Sequence, residues 1–209
     1  MYKTFLSLIF LFIFSGCASV PMSTIDKKFN KYKHNYAYGN IEVVKQSQDN
    51  SCGTACLASV MNRWGRNIDE EYLLTKYPKP ISNGYSLVEL SEIARNEGIN
   101  AYGFVMTKYP KKQLEEQLLK GRPVICAVKF PFALYLGDGI PLYNVVYREI
   151  TWGVGEKRKH YIVVFGMNKR NYLIMDPTYG IASLNKDKFL TCWKEMDCSS
   201  LTLAIKDNF

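Results

Sequence analysis

The sequence predicts an α+β domain in which helices come first and an antiparallel sheet follows. Apolar residues recur at helical spacing through 52–64, 86–98 and 111–120. Apolar, β-branched strands are expected at 123–129 and 160–167, and a turn at 168–171 folds the latter back on 172–176. Helices gathered before strands favour segregated layers over a doubly wound sheet.

Each element has a local cause. Residues 41–44 (Ile-Glu-Val-Val) look like a short leading strand. Asp49-Asn50-Ser51 offers N-cap chemistry to a helix carrying Ala55, Leu57, Ala58, Val60 and Met61 on its apolar faces, with Gly65 as its stop. A second helix over 69–76 is halted by Pro78 and Pro80. Ser86 and Glu89 form a capping box that opens a third, which runs to Gly98. Residues 99–106 alternate weakly like a strand, 111–120 form a fourth helix ended by Gly121, and 123–129 are a strand. Residues 130–159 hold Pro131, Pro141, four glycines and many aromatics, and read as a long loop or irregular hairpin at a functional rim. The Asp176-Pro177-Thr178-Tyr179-Gly180 stretch breaks the chain, Asn185 caps a last helix to about Glu195, and 201–205 close the sheet.

The start of the chain reads as export. Lys3 precedes an apolar run over 5–14, interrupted only by Ser7, and Ser15, Gly16 and Cys17 follow. The run is too short to span a bilayer, which needs about 20 apolar residues. Phe14-Ser15-Gly16-Cys17 resembles the bacterial lipoprotein processing box, which implies removal of residues 1–16 and acylation of Cys17, with a palmitate-type lipid as anchor. Ala18 after that cysteine resembles lipoproteins sent to the outer membrane, facing the periplasm. Residues 17–40, polar and lysine-rich, read as a tether, and 41–209 as the folded domain.

Composition narrows the function. The 209 residues are 47% hydrophobic and carry a net charge of +8. A basic balance suits nucleic acid or an anionic envelope surface. Dispersed lysines and the export signal argue against nucleic acid. Only two histidines are present, and His34 lies in the tether, so any His-dependent chemistry of the domain rests on His160.

Cys52 falls in the first turn of an apolar helix, where the dipole and free amides stabilise a thiolate. His160 is the only candidate base. Asp176, on the neighbouring strand of the expected hairpin, can orient it. An amide donor for the oxyanion is available in Gln46, six residues before Cys52.

The same residues carry a resemblance. Gln46-Ser47-Gln48-Asp49-Asn50-Ser51-Cys52-Gly53 resembles the nucleophile motif of the bacteriocin-processing cysteine peptidases, which cut leader peptides after a double glycine. His160-Tyr161-Ile162-Val163-Val164 is similar to that family's histidine strand, and Tyr172-Leu173-Ile174-Met175-Asp176-Pro177 to its aspartate motif. Lys120-Gly121-Arg122-Pro123-Val124-Ile125 resembles its entry to the preceding strand. The resemblance implies a papain-like cysteine peptidase with Cys52 as nucleophile, His160 as base then acid, Asp176 as orienter and Gln46 as oxyanion donor. It implies a peptide or protein substrate, a secretion or export partner, and no cofactor. In the family this domain is joined to an ATP-binding transporter; here it is expected as a stand-alone lipoprotein.

Two other readings stay open. One is a cell-wall endopeptidase, although such enzymes usually place aspartate before the cysteine and serine after it, unlike Ser51-Cys52-Gly53. The other is a catalytically silent papain-like module that binds peptides for a secretion system. Cys56 and Cys126 read as core residues, and no Cys/His spacing suits a metal. Cys192 and Cys198, six residues apart, are candidates for a disulfide in an exported domain.

Overall fold

The computed structural model describes residues 37–38, 41–80, 84–104, 108–130 and 157–204. The expected signal segment, Cys17, His34 and residues 131–156 lie outside the described residues. In order, the elements are β1 (Ala37–Tyr38), α1 (Cys52–Arg63), α2 (Glu70–Lys76), α3 (Leu87–Asn96), β2 (Asn100–Phe104) and α4 (Pro110–Leu119). Then come β3 (Val124–Phe130), β4 (Arg158–Met167), β5 (Asn171–Asp176), β6 (Gly180–Asn185), α5 (Lys186–Lys194) and β7 (Ser200–Ala204).

The strands form one antiparallel sheet in the order β2-β7-β3-β4-β5-β6, with β1 paired to the far end of β4. Helices α1–α3 precede strands β2–β7 as expected, and three caps form, two of them expected. Ser86 and Glu89 close the capping box of α3, Asp69 accepts from Tyr72 N, and Asn185 accepts from the amides of Asp187 and Lys188.

Both faces of the sheet are covered, so β3 is buried from Val124 to Val128 and β4 from Ile162 to Gly166 without alternation. On one side α4 and α5 pack Leu114, Leu118, Phe189 and Trp193 against Val124, Cys126, Val128, Ile162, Val164, Tyr172 and Ile174. The Tyr172 and Phe189 rings meet edge to face at 5.1 Å, and the Trp193 indole donates to Ser200 Oγ at 3.0 Å. Elsewhere α1 lies against β4, with α2 and α3 beside it. Residues Gly53 to Met61 are all buried, so this helix is enclosed on every side. Gly53 makes that enclosure possible: a Cβ there would come within 3.1 Å of Leu90 Cδ1 and 3.2 Å of Tyr161 Cδ2.

Four expectations change. Residues 41–44 form no strand and are tied instead to side chains of α1: Ser59 Oγ donates to the Glu42 backbone carbonyl, and Asn62 Nδ2 donates to the Glu42 carboxylate at 3.0 Å. Residues 180–185, read as part of a break and its sequel, are the strand β6. The turn after Asp176 is tight enough to return the chain antiparallel, with Asp176 opposite Gly180. Strand pairing also reaches beyond its expected limits at both ends of the sheet. Ala37 and Tyr38, placed in the tether, pair with Met167 and Gly166, and Phe130 and Arg158, placed in the loop, form a rung of the β3–β4 ladder. Finally, Cys192 and Cys198 are free and unbridged. The interval between them is used to close α5: Asp197 and Cys198 take φ of 53° and 50°, and Cys198 N donates to Trp193 O.

Filling the gap at Gly53 should strain the packing of α1. Gly53→Val is expected to destabilise the domain by about 1–3 kcal/mol, read as a lower midpoint in urea unfolding with an unchanged slope.

Candidate active site

Cys52 is the first residue of α1, and the loop before it is tightly tied. Ser51 occupies the N-cap position but makes no side-chain cap. Its hydroxyl donates to Gln48 O at 2.9 Å and accepts from Gln48 N at 3.1 Å. The expected cap is therefore replaced by a closed loop over 48–51, and the N-cap side chain does not cover the amides of the first turn. These amides carry the positive end of the helix dipole, beside the Cys52 sulfur. Cys52 is partly exposed, whereas Cys56, Cys126, Cys192 and Cys198 are buried.

His160 comes from β4 and Asp176 from the end of β5. The last rung between these strands joins Val163 to Met175. Asp176 lies one step further on, diagonally beside His160, within reach for side chains across an antiparallel pair. His160 Nε2 and Asp176 Oδ1 are 3.1 Å apart, and both side chains are buried. The same oxygen accepts from Thr178 N at 2.7 Å and Tyr179 N at 3.3 Å. With Nε2 held by Asp176, Nδ1 is the ring nitrogen left for the Cys52 thiol, to which His160 is hydrogen-bonded.

The structure thus joins Cys52, His160 and Asp176 in one line. Burial alone would raise the Cys52 pKa, but the hydrogen bond and charge of His160, helped by the Tyr161 backbone, bring it below the ordinary thiol value. Burial likewise opposes the imidazolium. The Asp176 carboxylate outweighs it, with Cys52 assisting, and pushes His160 up to about 10. The two shifts describe one proton shared within a coupled pair, and their common direction is toward thiolate and imidazolium. Cys56, Cys126, Cys192 and Cys198 are all shifted up, chiefly by burial. Cys56 and Cys126 are the core residues that the sequence suggested.

Gln46 lies between the two arms of this line. Its amide nitrogen donates to Gln48 O at 2.8 Å and Asp49 O at 3.3 Å, in the loop leading to Cys52. Its backbone N donates to Pro177 O at 3.0 Å, in the turn after Asp176. Three residues that sequence reasoning missed hold this region. Lys45 Nζ donates to Thr178 O at 3.1 Å, Thr178 Oγ1 lies 3.0 Å from Gln46 Oε1, and Glu70 Oε2 accepts from Ser47 N at 2.7 Å. Lys45 and Thr178 were signalled only by standing next to Gln46 and close to Asp176. Glu70, on α2, carried no signal without the fold. Among the described residues, no group of three or more His, Cys, Asp or Glu side chains is placed to hold a metal ion.

A family model described as the Peptidase C39 family matches residues 40–200. The chain is similar to the colicin V secretion/processing ATP-binding protein CvaB of Escherichia coli, with 22% identity over 174 residues. That match covers 79% of this chain but 20% of CvaB, so the chain spans about a fifth of its relative's length. Among solved structures, a C39-like peptidase from Bacillus anthracis matches with a TM-score of 0.59 and 16% identity, covering 80% of this chain and 96% of that one. The peptidase domain of Streptococcus ComA, a bi-functional ABC transporter involved in a quorum-sensing pathway, matches at 0.56 and 20% identity, covering 80% and 100%. A double glycine motif protease from an AMS/PCAT transporter, in complex with its leader peptide, matches at 0.54 and 18%, covering 80% and 94%. At these identities the structural matches show the fold, which is papain-like and α+β.

The coupled pair makes Cys52 the thiol to label. At pH 7, iodoacetamide followed by peptide mapping should alkylate Cys52 far faster than Cys126. Its rate should persist well below pH 8.5, about the pKa of a free cysteine. His160→Ala is expected to slow Cys52 labelling about tenfold at pH 7 and return its pH dependence to the free-thiol range.

Proposed function

Because the chain belongs to the peptidase C39 family, we propose that it is a cysteine peptidase that hydrolyses a peptide bond through an acyl-enzyme on Cys52. The observation that carries this reading is the line from a partly exposed Cys52 to buried His160 and fully buried Asp176. A thiolate at the start of α1 attacks the scissile carbonyl, and the carbonyl oxygen takes the negative charge. The Gln46 amide, with the backbone amides of the first turn, stabilises that oxygen. The His160 imidazolium gives its proton to the departing amine, which leaves Cys52 as a thioester. His160, now neutral, takes a proton from water as the water attacks, and the acid is released. Asp176 keeps the ring oriented and balances its charge throughout.

The envelope is the proposed place of action. The apolar segment before Cys17 supports export, the lipoprotein-like box ending at Cys17 supports lipidation there and a membrane anchor, and Ala18 supports the outer membrane facing the periplasm. An exported peptide or protein is the proposed substrate class. One relative is named for secretion and processing, and a structural neighbour was solved with a leader peptide. A secretion or export complex is the proposed partner, and residues 17–40 the proposed tether.

A peptide ending its leader in two glycines, a mixed peptide library and purified peptidoglycan should be offered in parallel. Cleavage of a peptide by the wild type, reduced at least about a thousandfold in Cys52→Ala, is expected. Release of wall fragments alone would move the substrate to peptidoglycan. No cleavage by a protein whose Cys52 still labels rapidly would make it a binding module.

The pH profile follows from the same pair. kcat/KM should rise as Cys52 loses its proton below the ordinary thiol range. It should fall again near about pH 10, where His160 gives up the proton that the leaving amine needs. In Asp176→Asn the raising influence on His160 is removed, so the alkaline limb is expected to move to lower pH.

A further inference from the structure

We propose that Thr178 is a positioning residue for the oxyanion arm, its hydroxyl anchoring the oxygen end of the Gln46 amide so that the nitrogen end is held toward the loop before the nucleophile. This rests on the reading of Gln46 as oxyanion donor. The orientation of a glutamine amide is set by what its two ends meet. The carbonyl oxygens of Gln48 and Asp49, at 2.8 and 3.3 Å, accept only, so the nitrogen faces the loop that leads to Cys52. The other end is therefore the oxygen, and Thr178 Oγ1, 3.0 Å away, is its donor. The two carbonyls select which end is the nitrogen, and the Thr178 hydroxyl holds the opposite end against the broad terminal torsion of glutamine. Turned over, it would present an oxygen to a developing oxyanion, which reverses the sign of the interaction.

Thr178 is itself immobilised by the line it serves. Its N–H donates to Asp176 Oδ1 at 2.7 Å, and its carbonyl accepts from Lys45 Nζ at 3.1 Å. Backbone contacts of Gln46 reinforce the join, with Gln46 N on Pro177 O at 3.0 Å. One residue of the turn thus touches both the carboxylate that orients His160 and the amide that faces the oxyanion. The hydroxyl serves only the second of these, and the backbone N–H serves only the first, so the two roles separate by mutation.

Thr178→Val keeps the shape and the N–H but removes the donor. It is expected to lower kcat about tenfold, less than the 10²–10³ typical for loss of an oxyanion donor, with KM unchanged. Thr178→Ser should restore the rate. In a Gln46→Ala background the same change should have no further effect, and Cys52 labelling by iodoacetamide should keep its rate and pH dependence in Thr178→Val. An unchanged kcat, or an equal loss with and without Gln46, would overturn the proposal. The side-chain amide resonance of Gln46 in ¹⁵N spectra gives a readout independent of turnover, and its hydrogens should exchange with water faster in Thr178→Val. If the wild type cleaves nothing, the peptidase reading fails, and this exchange rate alone decides whether Thr178 holds the amide. An unchanged rate overturns it.

Discussion

A carboxylate removed from water is costly unless hydrogen bonds and an opposite charge replace the water it has lost. Asp176 is fully buried, and one of its oxygens accepts from His160 Nε2 and from the amides of Thr178 and Tyr179. This single group therefore sets two things together. It fixes the ring of His160 by taking one nitrogen, and it fixes the turn from β5 to β6 by taking two backbone donors. The turn in turn receives Lys45 and Gln46 from the chain ahead of α1. Loss of the carboxylate would take one acceptor from the imidazole and from each of two amides, so the site is organised around an anion that the fold has to satisfy anyway.

The nucleophile depends on a different constraint, the enclosure of α1. Because residues from Gly53 to Met61 are buried on all sides, the helix has little freedom to shift against β4. Its first residue is partly exposed, so a rigid body presents a reactive atom at its tip. Ser51 contributes by not capping. A side-chain oxygen over the first-turn amides would compete with the oxyanion for the same donors, and the closed loop over 48–51 spends the serine hydroxyl elsewhere.

Much of this was legible before the fold was known. The helical spacing of 52–64 and the capping signals at Ser86 and Asn185 are local, and local chemistry decided them. The hairpin carrying His160 and Asp176 was legible because a period-2 pattern places same-face neighbours within reach. What failed was decided at a distance. Residues 41–44 had strand composition, but Ser59 and Asn62, far along α1, took their polar groups. Residues 180–185 carried no periodic signal that a turn at Pro177 did not outweigh. The same holds for the site: Cys52, His160, Asp176 and Gln46 are residue types with evident chemistry, whereas Thr178 and Glu70 matter only through the atoms they meet.

The position of β7 bears on the order in which the sheet comes together. Within the described sheet the latest strand in sequence lies between β2 and β3, bonded to both. A chain made from its N-terminus therefore presents β2, and α3 packed against it, long before the strand that can join them to β3. That strand arrives last, and its pairing partners lie far back in the sequence, an arrangement that slows folding because long loops must close first. The opening edge of the sheet is consequently completed by the last strand described.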